Sequence, residues 1–178
     1  MAVARSKAAN QHGNVNIHTL VQNWWSSPQI PYVAHAFLNN GAIICLRPSI
    51  STAASNSAAS HPDQQYWRVF TGGNHAAAAQ AVTNSIAGAG GVANIARIDI
   101  DCKLMPCNAN AHSCLYAVPA LMRNLYGINN TPLRMFSHAD EGMGNGGSSK
   151  RVITTNTSAT PDQLLVAYNA HDGWGWTP

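Results

Sequence analysis

Apolar residues recur along the chain with two periods, and the switches between them mark out the elements. In residues 17–25, Ile17, Leu20, Val21 and Trp24 fall at helical spacing, and Ser26-Ser27-Pro28 ends the pattern. Residues 32–37 and 42–46 are apolar runs on either side of Asn39-Asn40-Gly41. They read as a hairpin or as a helix turning into a strand, and the Asn-Gly turn signal favours strand pairing over 42–47. Residues 48–63 are rich in Ser, Ala and Asn without a period, which predicts a long surface loop. Tyr66-Trp67-Arg68-Val69-Phe70 predicts a short strand, broken by Thr71-Gly72-Gly73-Asn74. A helix is expected from His75 to about Ala87, with Ala79, Val82 and Ile86 on the face of His75 and Gly88-Ala89-Gly90-Gly91 as its stop.

Residues 92–104 hold the strongest strand pattern, with Ile95, Ile98 and Ile100 near its middle. Residues 114–126 have helical spacing through Leu115, Val118, Met122 and Leu125 and close at Gly127; Pro119 inside is expected to kink or restart the helix. Residues 133–136 and 151–155 predict short strands around a glycine-rich loop at 142–149, and 164–168 predict a last strand or helix. The order strand, strand, helix, strand, helix, strand, strand describes an α/β domain of two or three layers. No repeat or linker divides it, so residues 1–178 read as one domain with a polar, flexible stretch at 1–16.

The length of 178 residues suffices for a sizeable core without disulfides or metal. Charged residues make up only 10%, and the net charge of +3 is compatible with a polyanionic partner without requiring one. No window reaches the roughly 20 apolar residues of a membrane span, and residues 1–7 lack the apolar core of a signal peptide, so a soluble chain is expected. Glu141 is the only glutamate. Any chemistry that needs a glutamate uses that one or none.

Cys102, Cys107 and Cys114 fall close together beside Pro106 and His112, which is the bunching of a metal site more than of a disulfide scaffold. Cys45 reads as a buried small hydrophobe and Cys102 as a strand residue. The candidate ligands sit at two predicted helix starts: Asn74-His75 after a strand and a glycine turn, and Pro106-Cys107 with Ser113-Cys114 after the next strand. Parallel strands send the helices that follow them to one sheet edge, where a histidine and two cysteines would converge. Three N and S ligands with a fourth position for water is the zinc pattern of catalysis.

The pieces Asn74-His75-Ala76-Ala77 and Pro106-Cys107 … Ser113-Cys114 resemble the zinc-dependent nucleobase deaminases, whose pattern is His-x-Glu at one helix start and Pro-Cys-x-x-Cys at the next. The resemblance covers residues 66–136. It implies a cytidine-deaminase-like fold: a central mixed sheet of about five strands with helices packed on its faces. It implies zinc held by His75, Cys107 and Cys114, and hydrolysis of cytosine to uracil in an unpaired base of nucleic acid, single-stranded DNA ahead of RNA. The wider Cys-x₆-Cys spacing is similar to the divergent deaminase domains of bacterial polymorphic toxins. That similarity implies secretion within a larger toxin, action in the cytoplasm of a target cell in interbacterial competition, and an immunity protein as partner.

The catalytic glutamate of the family belongs two residues after the histidine, where this chain has Ala77. Losing general acid–base help costs about 10²–10⁴ in rate. Two readings account for Ala77: a glutamate replaced by design so that a toxic enzyme can be produced, or a natural non-catalytic relative that binds nucleic acid or a partner. A third reading is a Cys/His deamidase with Cys107 as nucleophile and His75 as base. For substrate contact the sequence offers Asn74, Trp67 and His138, with Trp174 and Trp176 as further stacking surfaces and Lys150-Arg151 for a phosphate backbone.

Overall fold

The computed structural model describes residues 3–6, 32–46, 76–102, 105–106, 108, 114–137 and 150–177. The helix expected at 17–25, the loop at 48–63, the strand at 66–70 and the glycine-rich loop at 142–149 lie outside the described residues.

Asn39-Asn40-Gly41 makes the hairpin. Strands β2 (Tyr32–Leu38) and β3 (Ile43–Cys45) pair antiparallel across it. The Leu38 amide donates to the Ala42 carbonyl at 3.0 Å, Asn40 Oδ1 accepts from the Ala42 amide, and Gly41 takes φ 88°. A three-residue loop ending on a left-handed glycine joins antiparallel strands without splaying them.

The next elements follow the apolar periods. Helix α1 (Ala76–Gly88) buries Val82 and Ile86. It stops where Gly90, at φ 102°, lets the Gly91 amide reach back to the Ile86 carbonyl and the Gly90 amide to that of Ala87. A 3₁₀ turn at Val92–Asn94 leads into β4 (Ile95–Cys102). Helix α2 (Cys114–Tyr126) runs through Pro119 as one element instead of restarting there; Pro119 is buried, and the helix forgoes the one bond its missing N–H would make. Leu115, Val118, Leu121, Met122 and Tyr126 face the core, and each such side chain, fully buried, contributes roughly 1.5–3 kcal/mol.

Strands β5 (Pro132–Ser137) and β6 (Arg151–Asn156) come next, antiparallel to each other. Residues 164–168 lie in a helix, α3 (Pro161–Asn169), and the chain then enters β7 (Asp172–Thr177). Together with β1 (Val3–Ser6) the order across the sheet is β1-β7-β6-β5-β4-β2-β3. Six strands form the mixed sheet, and β1 extends it by pairing parallel with β7. Strands β1 and β7, neighbours at one side of the sheet, are the two that the sequence did not predict.

Register separates the faces. One row carries Ile44, Ala36 and Ile98, and its neighbour Ala34, Ile100, Met135 and Ile153. These side chains share one apolar cluster with residues of α1, α2 and α3, so all three helices lie on this face. The opposite face carries the row Cys45, His35, Asp99, Arg134 and Thr154. Cys45, expected to be buried, is exposed, because β3 ends the sheet among the described residues.

Candidate active site

The direction of the helices decides where their first residues lie. Helix α1 ends close to the start of β4: Asn94 Nδ2 bonds the Ala89 carbonyl at 2.7 Å, and the Asn39 amide bonds the Asn94 carbonyl at 2.8 Å. Helix α2 ends close to the start of β5, with five residues between them. Each helix has 13 residues and spans about 20 Å. Strands β4 and β5 are parallel, and β3 runs parallel to β4 because both are antiparallel to β2. The crossover β4-α2-β5 joins parallel neighbours, and the shared apolar cluster puts α1 and α2 on one face of the sheet. There α1 packs on α2. Both helices begin at the edge where β4 and β5 end.

That edge is built from Cys102, the last residue of β4, its register partner Ser137, the last of β5, and Met105 and Pro106, both buried. Cys102 is 3% exposed within the helix-face cluster. Cys114 is the first residue of α2 and Ala77 the second of α1. His75, Cys107, Asn74, Trp67, His138, His112 and Glu141 lie outside the described residues. Among the described residues no three His, Cys, Asp or Glu side chains form a metal-binding group; of the expected ligands these residues include only Cys114, by its backbone.

Trp174 is not a stacking surface. It is 4% exposed, packs edge-on against Phe136 at 5.3 Å between ring centroids, and donates its indole N–H to the Ser137 carbonyl at 2.9 Å. Lys150 Nζ stands 4.9 Å above its ring. Arg151 bonds His171 Nε2, while His171 Nδ1 faces the Tyr168 carbonyl at 2.5 Å. With the guanidinium donating to Nε2, the ring proton sits on Nδ1.

A buried charge network on the face opposite the three described helices escaped the sequence reading. Asp99, with no exposed surface, accepts two bonds from Arg134, at 2.6 and 2.8 Å, and two longer ones from Arg97 at 3.3 Å. Arg97 lies 4.1 Å over the Phe37 ring and Arg134 5.0 Å over that of Phe136. The signal was the alternation Arg97-Ile98-Asp99-Ile100-Asp101, a strand with charge on every second residue. Both Asp99 oxygens are engaged by guanidinium groups, so this carboxylate acts as structure and not as a base.

No protein-family model, no curated protein and no solved structure matches the chain.

Proposed function

We propose that the chain is a zinc-dependent nucleobase deaminase domain of cytidine-deaminase-like fold, built to convert cytosine to uracil in nucleic acid and silenced at Ala77. The observation that carries this reading is the common edge at which α1 opens at Ala76 and α2 at Cys114. In sequence, His75 directly precedes the first helix, and Cys107 follows the buried Pro106 just past the end of β4. The arrangement supports a shared site for His75, Cys107 and Cys114. One imidazole and two thiols suit tetrahedral zinc with a fourth position open, and helix N-termini favour the thiolate form. The ion, when bound, supplies an acidified water.

The roles of the chain's own residues follow. His75, Cys107 and Cys114 hold the metal; Asn74, Trp67 and His138 orient the extruded base. Position 77, in the first turn of α1, is where a carboxylate would carry protons to the ring nitrogen and the leaving ammonia. Alanine carries none. Export within a larger bacterial toxin, action in the target cytoplasm and neutralisation by an immunity protein belong to the same reading. The Ala77 methyl itself favours a second one, a silent relative that binds nucleic acid.

Expression of Ala77→Glu in cells, followed by sequencing of genome and transcripts, tests the reading. A C-to-T load at least 10²-fold above that of the unsubstituted chain is expected. Edited transcripts with an unchanged genome move the substrate to RNA. Zinc-loaded Ala77→Glu protein that converts neither polymer favours the silent relative, and absence of zinc from the purified protein sinks the deaminase.

A further inference from the structure

The side of β6 that faces away from β5 is only partly occupied. There β7 pairs with Arg151 and Val152, through Gly173 and Asp172, and no described strand covers β6 beyond Val152. The Trp174 amide bonds the Lys150 carbonyl on the β7 side, and the Thr157 amide bonds the Thr131 carbonyl on the β5 side. Backbone groups alternate between the two sides of a strand, so Val152, Thr154 and Asn156 present theirs on the β7 side. The Asn156 carbonyl turns back to the Ala159 amide at 3.2 Å. The N–H and C=O of Thr154 and the N–H of Asn156 remain along the open edge. Strand edges are ordinarily blunted by charge, proline or a bulge. Ile153-Thr154-Thr155-Asn156 carries neither charge nor proline, and its register with β5 runs without a shift.

Helix α3 forms the facing wall. Between it and the edge runs a groove of about 500 Å³, lined by Thr154, Thr155 and Asn156 on the strand side and by Asp162, Val166 and Ala167 on the helix. Val166 is 67% exposed, the most exposed large apolar side chain among the described residues, and Asp162 is the one charged residue of the lining. These two stand one helical turn apart, about 6 Å. Alternate side chains on one face of an extended strand are about 6.7 Å apart. A strand laid along the Thr154 edge therefore sets one side chain against Val166 and the next on that face against Asp162.

We infer that this groove takes an extended peptide segment of a partner protein by strand addition, its backbone bonding Thr154 and Asn156, with an apolar side chain at Val166 and a basic one at Asp162. Main-chain bonds supply the affinity in this mode, and the alternate side chains supply the selectivity. A second copy presenting the same edge fits less well, because residues 152–156 offer no basic side chain to Asp162. Asn156 pairs with Pro132 at the start of β5, about 17 Å along β6 from Arg151 beside Ser137. The segment thus docks away from the candidate zinc edge, and its binding is independent of the chemistry proposed there.

The test uses the full chain and capped heptapeptides in which threonine and valine alternate around a central lysine or glutamate, titrated by calorimetry and followed in amide NMR spectra. The lysine peptide is expected to bind about threefold more tightly than the glutamate peptide and to shift the Thr154 and Asn156 amides. Asp162→Asn is expected to erase that preference, and Val166→Ser to weaken both peptides about tenfold; both positions are exposed, so the fold is spared. N-methylation of one alternate set of peptide amides is expected to abolish binding, while the other set tolerates it. Equal tolerance of both sets overturns strand addition. Binding of neither peptide, or unaltered binding in Val166→Ser, overturns the groove. A dimer in sedimentation that Val166→Ser dissolves makes the occupant a second copy and overturns the peptide. Removal of zinc is expected to leave the titration unchanged, which keeps this result separate from that of the deaminase test.

Discussion

At the residue scale, the buried carboxylate of Asp99 and the buried phenol of Tyr126 each meet hydrogen-bonding partners. Asp99 sits between two guanidiniums, and those guanidiniums lie over aromatic rings, so the buried negative charge is compensated by two positive ones. Tyr126 is the neutral counterpart. Its hydroxyl donates to the Leu46 carbonyl at 2.5 Å, and burial, reinforced by the nearby Cys45 thiol, pushes its pKa well above the ordinary 10.0. Above pH 10 the unfolded chain releases this proton while the folded chain keeps it, so stability falls as pH rises; below pH 10 the contribution is constant. Tyr126→Phe is expected to cost about 1 kcal/mol at pH 7, read from urea midpoints, and that gap to the parent is expected to shrink above pH 10. A gap that stays constant into strong alkali would mean the hydroxyl reaches solvent. Neither the pairing of Asp99 with Arg134 nor the bond to Leu46 was legible in the sequence. Each joins segments 35 to 80 residues apart, and only register or packing brings them together.

At the element scale, legibility tracks the strength of the period. The hairpin, α1, β4, α2, β5 and β6 each carry an apolar pattern that one face of the sheet or helix consumes, and the sequence reading found all six. Strand β7 was not read because Asp172-Gly173-Trp174-Gly175-Trp176 is too glycine-rich to signal a strand by propensity, and its pairing with β1 joins the two ends of the chain. Helix α3 was left between helix and strand because Leu164-Leu165-Val166 is a continuous apolar run. The deciding signal lay just upstream: Thr160 Oγ1 accepts from the Gln163 amide at 3.3 Å, and Gln163 Oε1 accepts from the Thr160 amide at 2.9 Å, with Pro161 in the first turn. Because α3 buries only Leu164, the cap carries an unusual share of its definition. Thr160→Ala is expected to destabilise by about 1 kcal/mol and to raise amide exchange selectively within Pro161–Asn169. Uniform exchange through that helix and the sheet would instead make α3 part of the global unfolding unit.

At the scale of the whole molecule, the sequence foresaw an α/β domain, because the alternation of strand and helix periods is written along the chain. What a sequence cannot hold is distance: His75 and Cys107 are neighbours only if the loops before α1 and α2 fold toward each other, and loop geometry carries no period. The apolar cluster offers a way to separate metal from fold. It joins all three helices to the sheet through aliphatic and aromatic side chains, with Cys102 its one sulfhydryl, so the described core does not need an ion to cohere. Chelation should therefore leave the far-ultraviolet spectrum and a cooperative transition in place. A ligand that binds only the folded chain adds about 2.7 kcal/mol at a hundredfold excess over its dissociation constant, which for a chain of this size shifts Tm by roughly 5–10 °C. Zinc should restore that increment in the chelated parent and in Ala77→Glu alike, since position 77 holds no metal, and should fail to do so in Cys114→Ser. Collapse on chelation would make the ion structural and argue for a closed four-ligand site. Equal indifference of parent and Cys114→Ser to zinc would remove the metal, and with it the chemistry, from this edge of the sheet.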